Sequence, residues 1–185
     1  MKKTLILLIL SIFLLYSNVS LGANETNNTE PEIYSKVGVI YNRDSKEVIW
    51  GKNEILKVPM ASTTKIMSAI IVLENANLSD IVTVSKKAGR INGSSMGLKS
   101  KDKVTVEDLL YGLMLPSGND AAIALAEHVS GSIEEFCKLM NEKGKELGLK
   151  NTNFCSPHGL DSDEHYTTRL WACSNYRLCI KYRKV

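Results

Sequence analysis

The sequence predicts a mixed α/β (α+β) fold that is mostly helical. Three features predict it: two β-rich runs separated by turn residues, an apolar stretch long enough for a buried helix, and two helix-capping patterns. With 185 residues, of which 44% are hydrophobic, the chain is long enough for one globular domain. The net charge of +3 is too small to indicate a nucleic-acid partner, and we expect none.

The beginning of the chain is expected to precede the fold. A basic start, an apolar run from Thr4 to Tyr16 and small residues before position 23 are typical of a secretory signal peptide over residues 1–23. An uncleaved membrane anchor is the alternative. Residues 24–34 are rich in Asn, Thr and Glu, which favours a flexible leader. The mature protein is therefore expected outside the cytoplasm, secreted or in the cell envelope.

The β-rich runs lie at Val37–Tyr41 and Glu47–Trp50, and the polar residues between them predict a β-hairpin. Further along, Asp80–Ser85 alternates as a short strand. The segment Lys86–Lys103 is rich in Gly, Ser and Lys, and it predicts a long surface excursion that lines a cleft. Residues 151–168 are polar and rich in turn residues.

The longest apolar stretch runs from Pro59 to Leu73 and is apolar on nearly every side, so we expect a helix in the middle of the domain. Pro59 fits the start of that helix. Thr105 and Ser132 each begin a capping pattern, with an acidic residue three positions later. The predicted helices are 59–73, 105–114, 120–129 and 132–147.

Ser62 and Lys65 are the candidate nucleophile and general base. They lie three residues apart, so on a helix they share one face. An amine beside a hydroxyl, in a dry site that lowers the pKa of the amine, can take the hydroxyl proton. The same spacing recurs at Ser100 and Lys103, in a polar turn where nothing desolvates the lysine. We interpret that second copy as solvated surface.

Ser117 and Asn119 lie at a break between two predicted helices. Turn formation and helix capping explain such residues without any function. The functional alternative is a second hydroxyl that relays a proton and a carboxamide that orients a substrate amide. Gly118 between them permits close approach of the backbone.

The remaining reactive side chains are not expected to take part. His128, His158 and His165 are unnecessary once a lysine serves as the base. The four cysteines are expected to form no disulfides, and no Cys/His spacing indicates a metal site. We therefore expect neither a metal nor a cofactor.

Together these motifs resemble the serine D-alanyl-D-alanine carboxypeptidases, the low-molecular-mass penicillin-binding proteins of peptidase family S11. The resemblance covers roughly Val37–Thr168. It implies that residues 35–168 form the N-terminal part of a penicillin-recognising serine hydrolase domain, the β-lactamase-like transpeptidase fold, here with a residual β-hairpin. The segments that carry it are Ser62–Lys65, Leu109–Leu115, Ser117–Ala122, Pro157–Asp161 and His165–Thr168.

The resemblance implies roles for four residues. Ser62 would attack the penultimate D-Ala carbonyl of a peptidoglycan stem peptide and become acylated, while Lys65 takes its proton. Ser117 would pass a proton to the leaving D-alanine, and Asn119 would hold the substrate amide. β-Lactams resemble the D-Ala-D-Ala end and would acylate Ser62. Membrane association is expected only for full-length relatives.

One family motif is missing, because no Lys-Thr-Gly triplet occurs in the 185 residues. In the family, this triplet binds the terminal carboxylate of the substrate, and its strand supplies one of two backbone N–H donors to the oxyanion. Losing one such donor costs about 10²–10³ in rate. We therefore expect impaired activity in this chain.

After Thr168 the resemblance is expected to stop, which leaves residues 169–185 as an aberrant tail. Our hypothesis is a truncation or a frameshift. One possible coding of residues 174–182, with its first base dropped, reads Ala-Ile-Thr-Asp-Tyr-Ala-Leu-Asn, which looks like the family's next helix. Sequencing the gene beyond the Thr168 codon tests this hypothesis, and the absence of a family-like frame there rejects it.

Two alternatives to a carboxypeptidase stay open. The first is an inert fragment or a non-catalytic protein that binds the cell wall. The second is a class A β-lactamase, which would carry Ser-Asp-Asn where Ser117-Gly-Asn119 stands, together with a deacylating Glu. Neither feature is evident in the sequence.

Overall fold

A computed structural model of the chain describes residues 31–42, 44–45, 47–53, 55–160 and 162–168. The predicted signal peptide, the leader up to residue 30 and the predicted tail over 169–185 lie outside these residues and stay predictions. Contacts divide the chain into two compact units, Met1–Tyr34 and Ser35–Val185, and the second unit contains the site described below. Among the described residues, no helix is long and apolar enough to cross a membrane.

The β structure of the described residues consists of three two-stranded antiparallel sheets, β1–β2, β3–β6 and β4–β5. The first is the predicted hairpin, which is confirmed. The predicted strand at Asp80–Ser85 is also present, as β4, and the other two pairings join segments far apart in sequence that no local pattern predicted. The strands are β1 (Gly38–Asn42), β2 (Glu47–Lys52), β3 (Lys57–Pro59), β4 (Ile81–Thr83), β5 (Lys103–Thr105) and β6 (Tyr166–Thr168).

Four α-helices form the bulk of the described domain. Both predicted capping patterns are present: the Thr105 hydroxyl accepts the Asp108 N–H at 3.1 Å, and the Ser132 hydroxyl accepts the Glu135 N–H at 3.1 Å. Gly131 ends the third helix in the left-handed conformation, with φ of 77°. The helices are α1 (Thr64–Asn75), α2 (Val106–Met114), α3 (Asn119–Ser130) and α4 (Ile133–Glu146).

The central helix begins later than predicted. Pro59 does not open it but ends β3, where it pairs with Tyr166. A 3₁₀ turn over Ala61–Thr63 follows, and α1 begins at Thr64. Ala61 has a φ of 46°, a left-handed conformation that an α-helix excludes, so the regular helix cannot start before it. Ser62 therefore lies in a tight turn before the helix rather than on it.

The core lies between the four helices. The first two turns of α3, Asn119–Ala126, are completely buried, and α3 packs against α1, α2 and α4. At the far end of α1, Glu74 accepts from the Lys143 amine of α4 at 2.8 Å, which ties these two helices together. The N-terminal ends of α1 and α3 carry the candidate site residues, so the core fixes where those residues lie.

Phe136 on α4 tests whether this core supports the fold. Its side chain is 0% exposed within the apolar cluster. We expect Phe136→Ala to lower the free energy of unfolding by about 3–5 kcal/mol, since the lost ring leaves a cavity. Urea denaturation measures this, and Lys138→Ala on the exposed side of the same helix should leave the midpoint unchanged. Equal midpoints for both variants would contradict the packing.

Candidate active site

The predicted nucleophile and base are neighbours in the structure. The Lys65 amine lies 3.4 Å from the Ser62 hydroxyl oxygen. Ser62 is exposed in its 3₁₀ turn, whereas Lys65 is only 3% exposed in the first turn of α1. The hydroxyl therefore opens to solvent, and the amine beneath it is shielded.

Two further acceptors hold the Lys65 amine. It donates to Asn119 Oδ1 at 3.0 Å and to the backbone carbonyl of His158 at 2.9 Å. Burial lowers the pKa of Lys65 below its ordinary value, because the protein interior disfavours the charged form. An amine with a lowered pKa supplies more of its neutral form near pH 7, which is the form that can accept a proton.

Ser117 completes a chain of polar groups at the nucleophile. Its hydroxyl donates to the Ser62 hydroxyl at 3.0 Å, although the two residues are 55 positions apart. Ser117 lies in the turn between α2 and α3, where it is half-buried. Ser62 thus contacts both Lys65 and Ser117, while their catalytic roles stay a prediction.

Asn119 lies beside this trio and is 4% exposed. Its Oδ1 accepts from Lys65, and its Nδ2 donates to the carbonyl of Asn92 at 2.8 Å. A carboxamide nitrogen carries two hydrogens, so one N–H of Asn119 is left for another acceptor. Asn119 therefore positions the base and keeps one N–H that can donate a further hydrogen bond.

Two non-glycine residues at the site have left-handed backbones. Ala61, directly before the nucleophile, has a φ of 46°, and Ser117 has a φ of 59°. Such conformations cost about 1–3 kcal/mol each and persist only where the surroundings fix them. Ser62, which follows Ala61 directly, and Ser117 are the two residues whose hydroxyls meet at 3.0 Å.

The segment Pro157–Gly159 contacts α1 on the face of the helix that carries Lys65 and Ser68. The carbonyl of Pro157 accepts from the Ser68 hydroxyl at 2.6 Å, and the carbonyl of His158 accepts from Lys65. Gly159 lies so close to the nucleophile turn that an added Cβ would come within 1.9 Å of the Ala61 carbonyl oxygen. Only glycine fits there, so this close approach explains the glycine within the Pro157–Asp161 motif.

The side chains of the three histidines contact groups other than the nucleophile. The Thr64 hydroxyl oxygen lies 2.7 Å from Nε2 of the buried His165, whose Nδ1 accepts the Cys155 N–H at 3.0 Å. Burial lowers the pKa of His158 to about 4, with further lowering by the charge of Lys65. His128 lies on α3, 3.6 Å from the Asp80 carboxylate. None of them makes a hydrogen bond to Ser62 among the described residues.

The second Ser-x-x-Lys copy is solvated, because both Ser100 and Lys103 are exposed. Cys137 and Cys155 are both free thiols. Burial raises the pKa of Cys137 to about 12, so this thiol is a packing residue. No cluster of three or more His, Cys, Asp or Glu side chains within the described ranges could hold a metal ion.

Sequence reasoning missed the loop over residues 92–98 as a structural partner of the site. This loop lies within the predicted surface excursion, and its carbonyl groups hold Asn119. Asp120, next to Asn119, is buried and bonded to the same loop. Asp120 was the signal that could have identified this loop, because an acidic residue in the first turn of the very apolar helix α3 needs hydrogen-bond donors from a neighbouring segment.

A comparison with family models matches residues 24–180 to the peptidase S11 family, described as D-alanyl-D-alanine carboxypeptidase. This match covers most of the chain. The chain belongs to the peptidase S11 family. The match also reaches residue 180, beyond Thr168, where we expected the resemblance to stop. The bounds of the predicted tail lie outside the described residues and stay a prediction.

Curated relatives agree with this family. The chain is 36% identical over 192 residues to D-alanyl-D-alanine carboxypeptidase DacF of Bacillus subtilis, with 100% of this chain and 49% of DacF covered. It is 39% identical over 165 residues to DacC of Escherichia coli, with 83% of this chain and 41% of DacC covered. The chain therefore spans about half the length of the curated relatives that it matches.

Solved structures confirm the predicted fold class. Penicillin-binding protein 5 of Haemophilus influenzae is similar with a TM-score of 0.79 and 34% identity, over 83% of this chain and 47% of that one. The carboxypeptidase DacD of Francisella tularensis gives a TM-score of 0.77 and 34% identity, over 81% of this chain and 38% of that one. The described domain is thus part of a penicillin-binding serine hydrolase fold.

Gly159→Ala tests the close approach beneath the nucleophile. Gly159 has a φ of 83° and no room for a Cβ, whereas Gly148 has a φ of 73° and no neighbour within 4 Å of an added Cβ. Gly148→Ala should cost only the backbone strain, about 1–2 kcal/mol. We expect a larger loss of stability for Gly159→Ala, because it also pushes Ala61 away. Urea denaturation compares the two, and equal losses would contradict the contact.

Proposed function

We propose that this chain carries the acylating half-site of a serine-type D-Ala-D-Ala carboxypeptidase, which removes the terminal D-alanine from peptidoglycan stem peptides. The contact of the Lys65 amine with the Ser62 hydroxyl, at 3.4 Å, is the observation that carries the proposal. Hydrogen bonds to catalytic bases are often long before substrate binds, so this distance fits a resting base.

In the proposed acylation step, Ser62 Oγ attacks the carbonyl carbon of the penultimate D-Ala and forms a C–O bond. Lys65 Nζ takes the hydroxyl proton. Its two fixed acceptors, Asn119 Oδ1 and the His158 carbonyl, occupy two N–H groups of the neutral amine. The lone pair is then left for the Ser62 hydroxyl.

Collapse of the tetrahedral intermediate breaks the C–N bond and releases D-alanine. Its amine needs a proton, and the Ser117 hydroxyl, 3.0 Å from Ser62 Oγ, is suited to pass one on from Lys65. The N–H of Asn119 that is not bonded to Asn92 is suited to bind a substrate carbonyl. Water then hydrolyses the ester and restores Ser62. A β-lactam would acylate the same hydroxyl, because its ring amide replaces the scissile amide.

The 185 residues lack the Lys-Thr-Gly triplet that in the family binds the substrate carboxylate. We propose that a protein made of these residues alone acylates more slowly by about 10²–10³, as expected for the loss of one oxyanion donor. We also propose that residues 1–23 direct the chain out of the cytoplasm, where peptidoglycan is found.

The main competing proposal is an inert fragment or a protein that binds the cell wall without catalysis. The class A β-lactamase alternative has less support, since the family match is to carboxypeptidases and glycine stands at position 118. Covalent labelling separates an acylating protein from an inert one.

A fluorescent penicillin tests the proposal through a stable covalent label. We expect slow labelling of the mature chain, no label in Ser62→Ala, and labelling slower by about 10²–10⁴ in Lys65→Ala because the base is lost. The matched controls, Ser100→Ala and Lys103→Ala, alter the solvated copy of the motif and should leave labelling unchanged. Label retained in Ser62→Ala contradicts the assigned nucleophile, and a folded wild-type chain without label supports the inert fragment.

A further inference from the structure

The steps proposed above leave one buried acid unused. Asp120 follows Asn119 in the first turn of α3 and is only 2% exposed. Burying a carboxylate is costly unless hydrogen bonds replace its water. Its neighbours therefore show which part of the structure depends on it.

The Asp120 carboxylate accepts five hydrogen bonds, and most of the donors come from one loop. Its two oxygens accept from three successive backbone amides, from one hydroxyl, and from the amide of the next residue in the helix. The donors are Met96 N (3.1 Å), Gly97 N (3.0 Å), Leu98 N (2.9 Å), Ser95 Oγ (2.6 Å) and Ala121 N (2.9 Å). Four of the five donors belong to residues 95–98, so one carboxylate fixes the conformation of this loop.

These bonds keep the carboxylate ionised. Burial raises the pKa of Asp120, but the hydrogen bonds from Ser95 and from the backbone amides outweigh burial, and the pKa lies below its ordinary value. The N-terminal end of α3 also favours a negative charge. At neutral pH the loop is therefore held by charge-assisted bonds, which are stronger than neutral ones.

The same loop holds Asn119. The carbonyl of Ser94 accepts the Asn119 backbone N–H at 2.7 Å, and the carbonyl of Asn92 accepts from Asn119 Nδ2 at 2.8 Å. Between them, Gly93 lies so close that an added Cβ would be 2.7 Å from Nδ2. The carboxamide of Asn119 is thus oriented by the loop, and its Oδ1 in turn accepts from Lys65.

We propose that Asp120 is a positioning residue for acylation. It holds the loop over residues 92–98, the loop orients the Asn119 carboxamide, and the carboxamide directs the Lys65 amine toward Ser62. This inference rests on the proposed function, because it assigns Asp120 a part in the same acylation. Asp120 itself makes no hydrogen bond to Ser62, Lys65 or Ser117 among the described residues.

Packing is the competing explanation for the order of the loop. The Met96 side chain lies against Gly112 of α2, where an added Cβ would come 2.1 Å from the sulfur. If this contact alone fixes the loop, then Asp120 matters only for general stability. The two explanations differ in which amides should loosen when the carboxylate is changed.

Asp120→Asn tests the first link by amide hydrogen exchange. The variant keeps the shape, but it removes the negative charge that strengthens all three loop bonds, and its NH₂ group cannot accept from the loop amides at the oxygen it replaces. We expect faster exchange confined to residues 96–98 and Asn119. Met140→Ala, a core variant on α4, serves as a control for destabilisation and should speed exchange across the helices instead. Unchanged exchange at 96–98 in Asp120→Asn would overturn the proposal.

A double-mutant cycle tests the second link through the rate of penicillin acylation per folded molecule. We expect Asp120→Asn to slow acylation by about 10²-fold, because a small displacement of catalytic groups costs that much. In an Asn119→Ala background the same change should matter little, since the carboxamide that it positions is gone. Met140→Ala should leave the rate of the folded fraction unchanged. Independent, multiplicative effects of the two variants would overturn the proposal.

The two readouts separate this inference from the proposed function. If the wild-type chain takes no label, the proposed function fails, and the exchange pattern decides alone whether Asp120 holds the loop and Asn119. If the label forms and faster exchange is confined to residues 96–98 and Asn119, the double-mutant cycle decides whether the ordered loop affects the rate of acylation of Ser62.

Discussion

The site depends on how one buried amine is held. Lys65 has three polar neighbours, and two of them, the Asn119 Oδ1 and the His158 carbonyl, can only accept. The third neighbour, the Ser62 hydroxyl, can also donate. A neutral amine has two N–H groups and one lone pair, so this environment leaves the lone pair for Ser62. Burial also favours the neutral amine. The same surroundings therefore set both where the lone pair of the Lys65 amine points and whether the amine is charged.

Several separate segments cooperate in that arrangement. The turn at Ala61–Thr63 presents the hydroxyl, the start of α3 presents Asn119, and the segment at 157–159 supplies the carbonyl. Pairing of β3 with β6 brings the last strand of the described residues beside the segment that leads into this turn. Gly159 then allows contact at a distance that any side chain would prevent. The site is therefore a property of the folded domain and not of the Ser-x-x-Lys motif alone, as the solvated copy at Ser100 and Lys103 shows.

Local patterns in the sequence predicted the helices, their caps and the first hairpin, because these depend on neighbouring residues. Local patterns also indicated Ser62 and Lys65, and the family resemblance added Ser117 and Asn119. The structure brings these four residues together, while their catalytic roles stay a prediction. The β3–β6 and β4–β5 pairings were missed because local patterns do not show which distant segments pair, and because β3, β5 and β6 are too short to carry a periodic signal. The 3₁₀ turn at Ser62 and the loop bonded to Asp120 were missed for a related reason, since both depend on contacts between distant segments.

Whether Lys65 acts as a neutral base can be measured by NMR titration of its amine, with isotope-labelled lysine in the folded mature chain. We expect a midpoint below 10.5, the ordinary value for lysine, because burial disfavours the charged form. We also expect acylation of Ser62 to become faster as the pH rises through that midpoint, since only the neutral amine can accept the proton. A midpoint at or above 10.5, or an acylation rate that does not change through it, would show that Lys65 is not the base.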